Sequence, residues 1–170
     1  MKTVVLMRHA DSYPTGFSGY EQDRPISVTG LLQVERVRSL NHKIWKEVDF
    51  VLCSGVKRAK QTFQAIYSVV PVNTRFMFDD SLGQVTSSDL LERIQWTPAI
   101  YNKILIIGHN PGLSKFMEAV FRSDPQRRLE TCEVVILNAD VKSWQEVDYN
   151  RLSLVERLKP DLESAQEENL

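Results

Sequence analysis

The sequence predicts an α/β fold, a three-layer α/β/α sandwich with a mostly parallel central sheet and antiparallel strands at its C-terminal end. Three observations predict it. Short apolar runs end abruptly in charged or polar residues: Lys2-Thr3-Val4-Val5-Leu6 before Met7-Arg8-His9, and Ile104-Leu105-Ile106-Ile107 before Gly108-His109-Asn110. Runs of this kind are strands buried within a parallel sheet. Between them lie segments whose apolar residues recur at helical spacing, so strands and helices alternate. Near the end, three strand-like segments separated by turn residues close the sheet.

Each element follows from its residues. Positions 12–21, with Pro14, Gly16 and Gly19, form a loop over the His9 end of the first strand. Pro25 keeps Arg24 out of the helical region, and Ser27 or Thr29 is placed to cap the helix that follows. That helix carries Leu31, Leu32, Val34, Val37, Leu40 and Ile44 on one broad face, expected to point to the core, with Gln33, Glu35, Arg36 and Arg38 mostly away from it. Residues 48–53 form the second strand, ending in Ser54-Gly55, and a helix runs from Val56 to the region of Tyr67.

Val70-Pro71-Val72 and residues 75–78 suggest a short connecting strand, and residues 79–84 a loop. Ser87 or Ser88 is expected to cap a helix over 89–96. After the strand at 103–107, Pro111 fits the first helical position; Leu113, Phe116, Met117, Val120 and Phe121 give that helix its apolar face. A polar loop at 123–128 leads to closing strands at 133–137, 144–147 and 152–158. Residues 161–170 are charged and poor in large apolar groups, a polar tail expected to fray. One domain over 1–160 is the expected organisation.

Composition narrows the function classes. The 170 residues suit one domain with a sizeable core, and 42% hydrophobic with 25% charged residues is ordinary for a globular chain. A net charge of −1 gives no basic excess for nucleic acid. No apolar run approaches the roughly 20 residues of a membrane span, and the start leads directly into a strand with no leader pattern. A cytoplasmic protein with no membrane partner is therefore expected. Cys53 and Cys132 fit neither a disulfide framework nor a zinc site, and read as two buried thiols.

The chemistry collects at strand ends. Ligands of open α/β sheets sit beyond the carboxyl ends of the strands, where this chain places Arg8, His9 and His109, with Arg58 in the first turn of a helix and Arg24 in the overlying loop. A lone histidine after a strand is commonly a structural hydrogen-bonder, and a lone arginine a solvated charge. Joint placement at equivalent ends is what points to an anion site. Arg58 opposes the dipole of its own helix, so an anion between them makes better electrostatic sense. Arginine forks match phosphoryl oxygens. A neutral histidine with one ring N–H tied to backbone leaves its other nitrogen to attack phosphorus, giving a phosphohistidine enzyme that is later hydrolysed. No metal or cofactor is expected.

Four segments in order then carry a resemblance that covers nearly the whole chain: Leu6-Met7-Arg8-His9-Ala10, Arg24-Pro25-Ile26-Ser27-Val28-Thr29-Gly30, Ser54-Gly55-Val56-Lys57-Arg58-Ala59-Lys60-Gln61-Thr62 and Leu105-Ile106-Ile107-Gly108-His109-Asn110-Pro111. The chain resembles the histidine phosphatase superfamily, with its phosphoglycerate-mutase-like fold, and within it the small SixA-type phosphohistidine phosphatases. The resemblance implies His9 as the phosphate-accepting nucleophile, with Arg8, Arg58 and His109 completing the catalytic pocket. Arg24, Ser54 and Asn110 are expected to contact the substrate.

Two departures bear on the substrate. Ala10 stands where the signature has Gly, and Gln84 stands where larger members carry a Glu or Asp general acid. Gln cannot protonate a leaving group. An imidazole leaving group has a conjugate acid of pKa about 6.5 and departs with little acid help, unlike an alkoxide. A P–N bond therefore suits the site better than a P–O bond. The expected activity is metal-independent removal of phosphate from phosphohistidine on a protein, a phosphorelay or phosphotransfer carrier. Two alternatives stay open: a phosphatase of small phosphomonoesters using Asp11, Asp79 or Asp80 as the acid, and a non-catalytic phosphate-binding module.

Overall fold

The structure is a computed structural model that describes residues 1–16, 18–40, 42–122 and 128–162. Its elements are β1 (Lys2–Arg8), α1 (Val28–Leu40), α2 (His42–Glu47), β2 (Phe50–Ser54), α3 (Lys57–Ile66), β3 (Arg75–Asp79), α4 (Ser87–Gln95), β4 (Lys103–Gly108), α5 (Gly112–Val120), β5 (Val134–Ala139) and β6 (Leu152–Leu158). The strands form one sheet in the order β3-β2-β4-β1-β5-β6. The pairs β3–β2, β2–β4 and β4–β1 are parallel, whereas β5 and β6 are added antiparallel. This is the α/β class with the mixed sheet that the sequence predicts.

Alternation along the strands builds two cores. Val5, Met7, Val51, Leu105 and Ile107 face α1, α2 and α3, where Val34, Val37, Trp45, Ala59, Phe63 and Ile66 meet them. Val4, Leu6, Leu52, Ile104 and Ile106 face the other way, against Leu90 and Ile94 of α4 and Leu113, Phe116 and Met117 of α5. Because neighbouring residues of β1 and β4 are buried on opposite faces, their sequences show continuous apolar runs rather than alternation.

Several expectations are corrected. Leu31, Leu32 and Leu40 are exposed, and the buried face of α1 is Gly30, Val34 and Val37. Gly30 decides this: a Cβ there would stand 2.2 Å from the Asp11 carbonyl oxygen, so the helix presses its glycine onto the backbone after β1. Ile44 belongs to the separate helix α2. Ser27 caps α1, its Oγ accepting from the Gly30 amide at 3.0 Å.

The cap of α4 is Thr86 rather than Ser87 or Ser88, in a capping box with Asp89. Pro111 is the N-cap of α5 rather than its first helical residue. The middle closing strand is a 3-10 turn, Trp144–Glu146, in which the fully buried Trp144 donates through Nε1 to the Tyr101 carbonyl at 2.9 Å. Two closing strands remain. Residues 123–127 of the expected polar loop and 163–170 of the expected tail lie outside the described residues.

Candidate active site

Parallel pairing puts the carboxyl ends of β1, β4, β2 and β3 on one edge of the sheet, and the predicted residues gather there. Arg8 pairs across the sheet with Gly108, and the His9 amide donates to the Gly108 carbonyl at 3.0 Å. His9 and His109 consequently stand side by side, ring centroids 4.9 Å apart at 49°. Arg58 enters from α3. A cavity of about 380 Å³ is lined by Arg8, His9, Arg24, Arg58, His109 and Asn110, among others.

The α3 segment explains its own pattern. Ala59 is fully buried in the core. The Gln61 side-chain oxygen accepts from the Ile26 amide at 2.8 Å. Thr62 Oγ1 accepts from the Ala10 amide at 3.0 Å and donates to the Arg58 carbonyl at 2.8 Å. Those contacts lock α3 to the backbone just after the nucleophile candidate and at Ile26, and they hold Arg58 in register with His9.

The hydrogen bonds of His9 define its tautomer. Arg58 Nε stands 3.2 Å from His9 Nε2, and a guanidinium N–H only donates, so Nε2 accepts. Nδ1 lies 2.7 Å from the Ala10 carbonyl, which only accepts, so Nδ1 carries the proton. Burial, together with the Arg58, Arg8 and Arg24 charges and against the Ala10 hydrogen bond, lowers the His9 pKa to about 4. The ring is neutral at pH 7, and its unprotonated Nε2 accepts from Arg58.

Burial lowers His109 further, to about 3, with the His9, Arg58 and Arg8 charges adding to it. Its Nε2 is 2.8 Å from Ser54 Oγ, while Nδ1 is buried with no hydrogen-bond partner among the described residues. Arg8 donates through Nη1 to the Leu129 carbonyl at 3.1 Å, and its buried Nε likewise has no partner among the described residues. Burial, Arg128 and Arg58 push the Arg8 pKa down. An unpaired buried polar group is costly; both orphan nitrogens belong to residues that line this one pocket.

The remaining candidates divide. Arg24 lines the pocket and is held by the Tyr13 carbonyl at 2.7 Å and by Ser12 Oγ at 3.0 Å. Ser54 is fully buried and holds His109. Asn110 lines the pocket, but its amide donates to the Leu129 carbonyl and its oxygen accepts from Ser114 Oγ. Gln84 borders a small cavity that it shares with His109.

Of the three aspartates, Asp11 accepts from Ser27 Oγ at 2.5 Å and lines the pocket. Asp79 is bound to Ser81 and to Arg93 at 2.8 Å, away from the pocket residues. Asp80 lies against Gly55, where an added Cβ would meet its carboxylate. Cys53 is buried, donates to the Ser54 carbonyl and has its thiol pushed up to about 12 by burial.

Sequence reasoning missed three residues. Glu21 places its carboxylate 2.8 Å from Arg24 Nη1 and 3.3 Å from Arg58 Nη2, and its carbonyl accepts from Arg58 Nη1 at 2.8 Å. Gln33 accepts from the Asp11 amide and donates to Thr131 Oγ1, which also lines the pocket. Glu21 sits in a loop with no periodic signal, so nothing in the sequence marked it. Gln33 carried one weak sign, a long amide among helix positions read as outward.

No family model matches the sequence. An uncharacterized chloroplast protein of Arabidopsis thaliana is 26% identical over 155 residues, 85% of this chain and 70% of that protein. Among solved structures, a SixA protein of Agrobacterium tumefaciens, described as a candidate phosphohistidine phosphatase, superposes with a TM-score of 0.77 at 21% identity, covering 94% of this chain and 99% of that one. A SixA of Nakamurella multipartitia gives 0.76 at 22% identity over 94% and 96%. The protein histidine phosphatase SixA in complex with tungstate gives 0.75 at 17% identity over 93% and 97%. The chain has the fold of these SixA proteins, the phosphoglycerate-mutase-like fold.

Among the described residues no helix is long and apolar enough to cross a membrane.

Proposed function

We propose that the chain is a histidine phosphatase of the SixA type, one domain over residues 1–160, that removes phosphate from phosphohistidine on a protein partner. One observation carries the reading: His9 lines the pocket as a neutral ring whose unprotonated Nε2 accepts from Arg58 Nε, with Arg8 and His109 in the same lining. That is a nucleophile with a surround for the three equatorial oxygens of a transferring phosphoryl group. A Ser54 hydroxyl that donates to His109 Nε2 would leave the proton on Nδ1 and make it a donor in that surround. The tungstate bound by a SixA of the same fold is an oxyanion of the kind this surround would hold.

The steps balance without a cofactor. His9 Nε2 attacks phosphorus, and the P–N bond to the substrate imidazole breaks with its electron pair going to that ring, which takes a proton from water. Water then attacks the phosphorus of phospho-His9, its proton passes to solvent, and phosphate leaves with Nε2 restored. Gln84 offers no proton, and an imidazole with a conjugate acid near pKa 6.5 needs little help. Binding alone would need the arginines and not the attacking nitrogen, which favours catalysis over a recognition module.

The test is phosphate release from a phosphohistidine protein and from a simple phosphomonoester side by side, with His9→Ala as control. Preference for phosphohistidine, lost in the variant, is the expected result. Equal turnover of both substrates would overturn the P–N assignment. Release that survives His9→Ala would overturn the nucleophile.

A further inference from the structure

The sheet has two edges, and they are treated differently. An edge strand offers unpaired N–H and C=O groups to any other strand, so edges are usually blunted by charge or irregularity. At one edge β6 is blunted: its register against β5 shifts between Ile136 and Leu137, and it carries Glu156 and Arg157. At the other edge β3 is not. It reads Arg75-Phe76-Met77-Phe78-Asp79, and its three central side chains keep 48%, 51% and 42% of their surface exposed. Tyr67 and Val72, also exposed, extend the apolar surface beside it.

The hydrogen bonds fix which groups of β3 are open. The Arg75 amide donates to the Asp49 carbonyl at 3.3 Å, and the Asp79 carbonyl accepts from the Gly55 amide at 3.2 Å. Successive residues of a strand turn their main-chain groups to opposite sides. Arg75, Met77 and Asp79 therefore bond towards β2, and Phe76 and Phe78 direct theirs outward. Side chains alternate too. Phe76 and Phe78 lie on the α3 face, 5.3 Å and 6.2 Å from the Phe63 ring. Arg75, Met77 and Asp79 take the α4 face, where Asp79 binds Arg93.

This strand is its own complement. With a second copy laid antiparallel about a two-fold axis at Met77, Phe76 faces Phe78 of the second copy, and the two exchange both outward hydrogen bonds. Arg75 then faces Asp79 of the second copy in the closer, non-hydrogen-bonded kind of pair, where opposite charges attract. An axis at Phe76 would set Arg75 against Met77, and an axis at Phe78 would set Asp79 against Met77. The axis at Met77 alone among the three matches the charges.

Both charged groups have room for the contact. Arg75 is exposed and enters no ion pair among the described residues. Asp79 accepts from the Ser81 amide, the Ser81 hydroxyl and Arg93 Nε. A carboxylate accepts about four hydrogen bonds, so one position stays open to a second arginine.

We infer that the β3 edge binds a second copy of this chain, forming a two-fold dimer whose two sheets join into one. The aromatic pairs of the two copies cover each other on the α3 face, and crossed Arg75–Asp79 ion pairs fix the register on the other. The same patch serves both partners, as a closed two-fold contact requires. The inference does not depend on the phosphatase reading.

Sedimentation equilibrium over roughly 1 to 100 µM, the range in which small interfaces associate, is expected to show mass rising towards twice the 19.6 kDa of one chain. Met77→Lys sets like charges face to face on the axis and is expected to weaken association at least tenfold. Met77 is half exposed, so its substitution leaves the core intact. The register is read by cross-linking in oxidised glutathione. In Met77→Cys the two introduced thiols belong to residues about 4.5 Å apart between Cα atoms, within disulfide reach, and a covalent dimer is expected. In Arg75→Cys they are four residues out of step, about 13 Å apart, and no cross-link is expected. The native Cys53 and Cys132 are buried and leave the reading clean. A chain that stays monomeric throughout the range overturns the dimer. Association unchanged by Met77→Lys overturns the β3 edge as its site, and equal cross-linking of the two cysteine variants overturns the register.

Discussion

Arg58 Nε stands 3.2 Å from His9 Nε2, and the donor is a group that does not give up its proton. One contact therefore does two things: it holds the imidazole as the Nδ1–H tautomer and sets a positive charge beside the atom that would attack. Lysine has one side-chain nitrogen and no fork, so it cannot hold His9 through one nitrogen and phosphoryl oxygens through others. Arg58→Lys is expected to lower kcat/KM by about 10²-fold, the usual size for loss of one oriented donor. Steady-state kinetics on phosphoramidate measure it. A loss under threefold would mean that charge alone is what Arg58 supplies.

The carboxylate of Glu21 touches both Arg24 and Arg58, the donors that a phosphoryl group would need. The product must compete with it. Glu21→Gln keeps the shape and removes the charge, so inorganic phosphate should inhibit more strongly, by about two- to fivefold, the scale of an exposed ion pair. The competitive inhibition constant of phosphate reports this directly, and an unchanged constant would show that Glu21 yields without competition.

Acid should act on stability before it acts on the nucleophile. In the folded chain His9 and His109 keep pKa values of about 4 and about 3, below the ordinary 6.5 that they regain on unfolding. Between pH 6.5 and about 4 the unfolded chain therefore binds more protons than the folded one, and stability rises with pH across that window. Above pH 7 neither ring contributes a slope. The urea midpoint should drop steadily from pH 7 to pH 4.5, and His109→Gln should flatten the drop. Equal midpoints at pH 7 and pH 5 for the wild type would contradict the burial of neutral rings.

Much of this site was legible because strand ends are legible. Arg8, His9 and His109 follow apolar runs whose termination in charge is visible in one dimension. The α3 pattern was legible too, since Ala59, Gln61 and Thr62 each make a contact that only that residue type makes there. What escaped depended on the path of the chain. Glu21 reaches two arginines only because the loop folds back over the sheet edge. The orientation of α1 escaped because six leucines and valines on one helix allow more than one buried face, and the close approach of Gly30 to Asp11 chose among them. Trp144 is fully buried in a 3-10 turn, and burial gives a turn the same apolar signature that a short strand has.

That orientation gives a stability test. Val37 is fully buried and Leu31 is half exposed. Val37→Ala should cost roughly 2 kcal/mol through lost contacts and a cavity, whereas Leu31→Ser should change stability by no more than about 0.5 kcal/mol. Urea titration of both variants decides the matter. The reverse order would restore the face expected from the sequence.

Gln84 tests the link between leaving group and substrate. It lines the cavity shared with His109, and it has no proton to give. If the absence of an acid is what favours a P–N bond, supplying one should widen the substrate range. Gln84→Glu is expected to raise kcat/KM for phenyl phosphate by about tenfold, a modest share of what a positioned general acid contributes. Turnover of phosphoramidate should change little, because its leaving nitrogen already departs readily. The gain should vanish as pH rises past the pKa of the new carboxyl, since only the protonated acid donates. An alkaline decline seen in the variant and not in the wild type would assign the effect to proton donation. An unchanged ratio of the two substrates at every pH would place the leaving group elsewhere than beside Gln84, and the preference for P–N bonds would then need another cause.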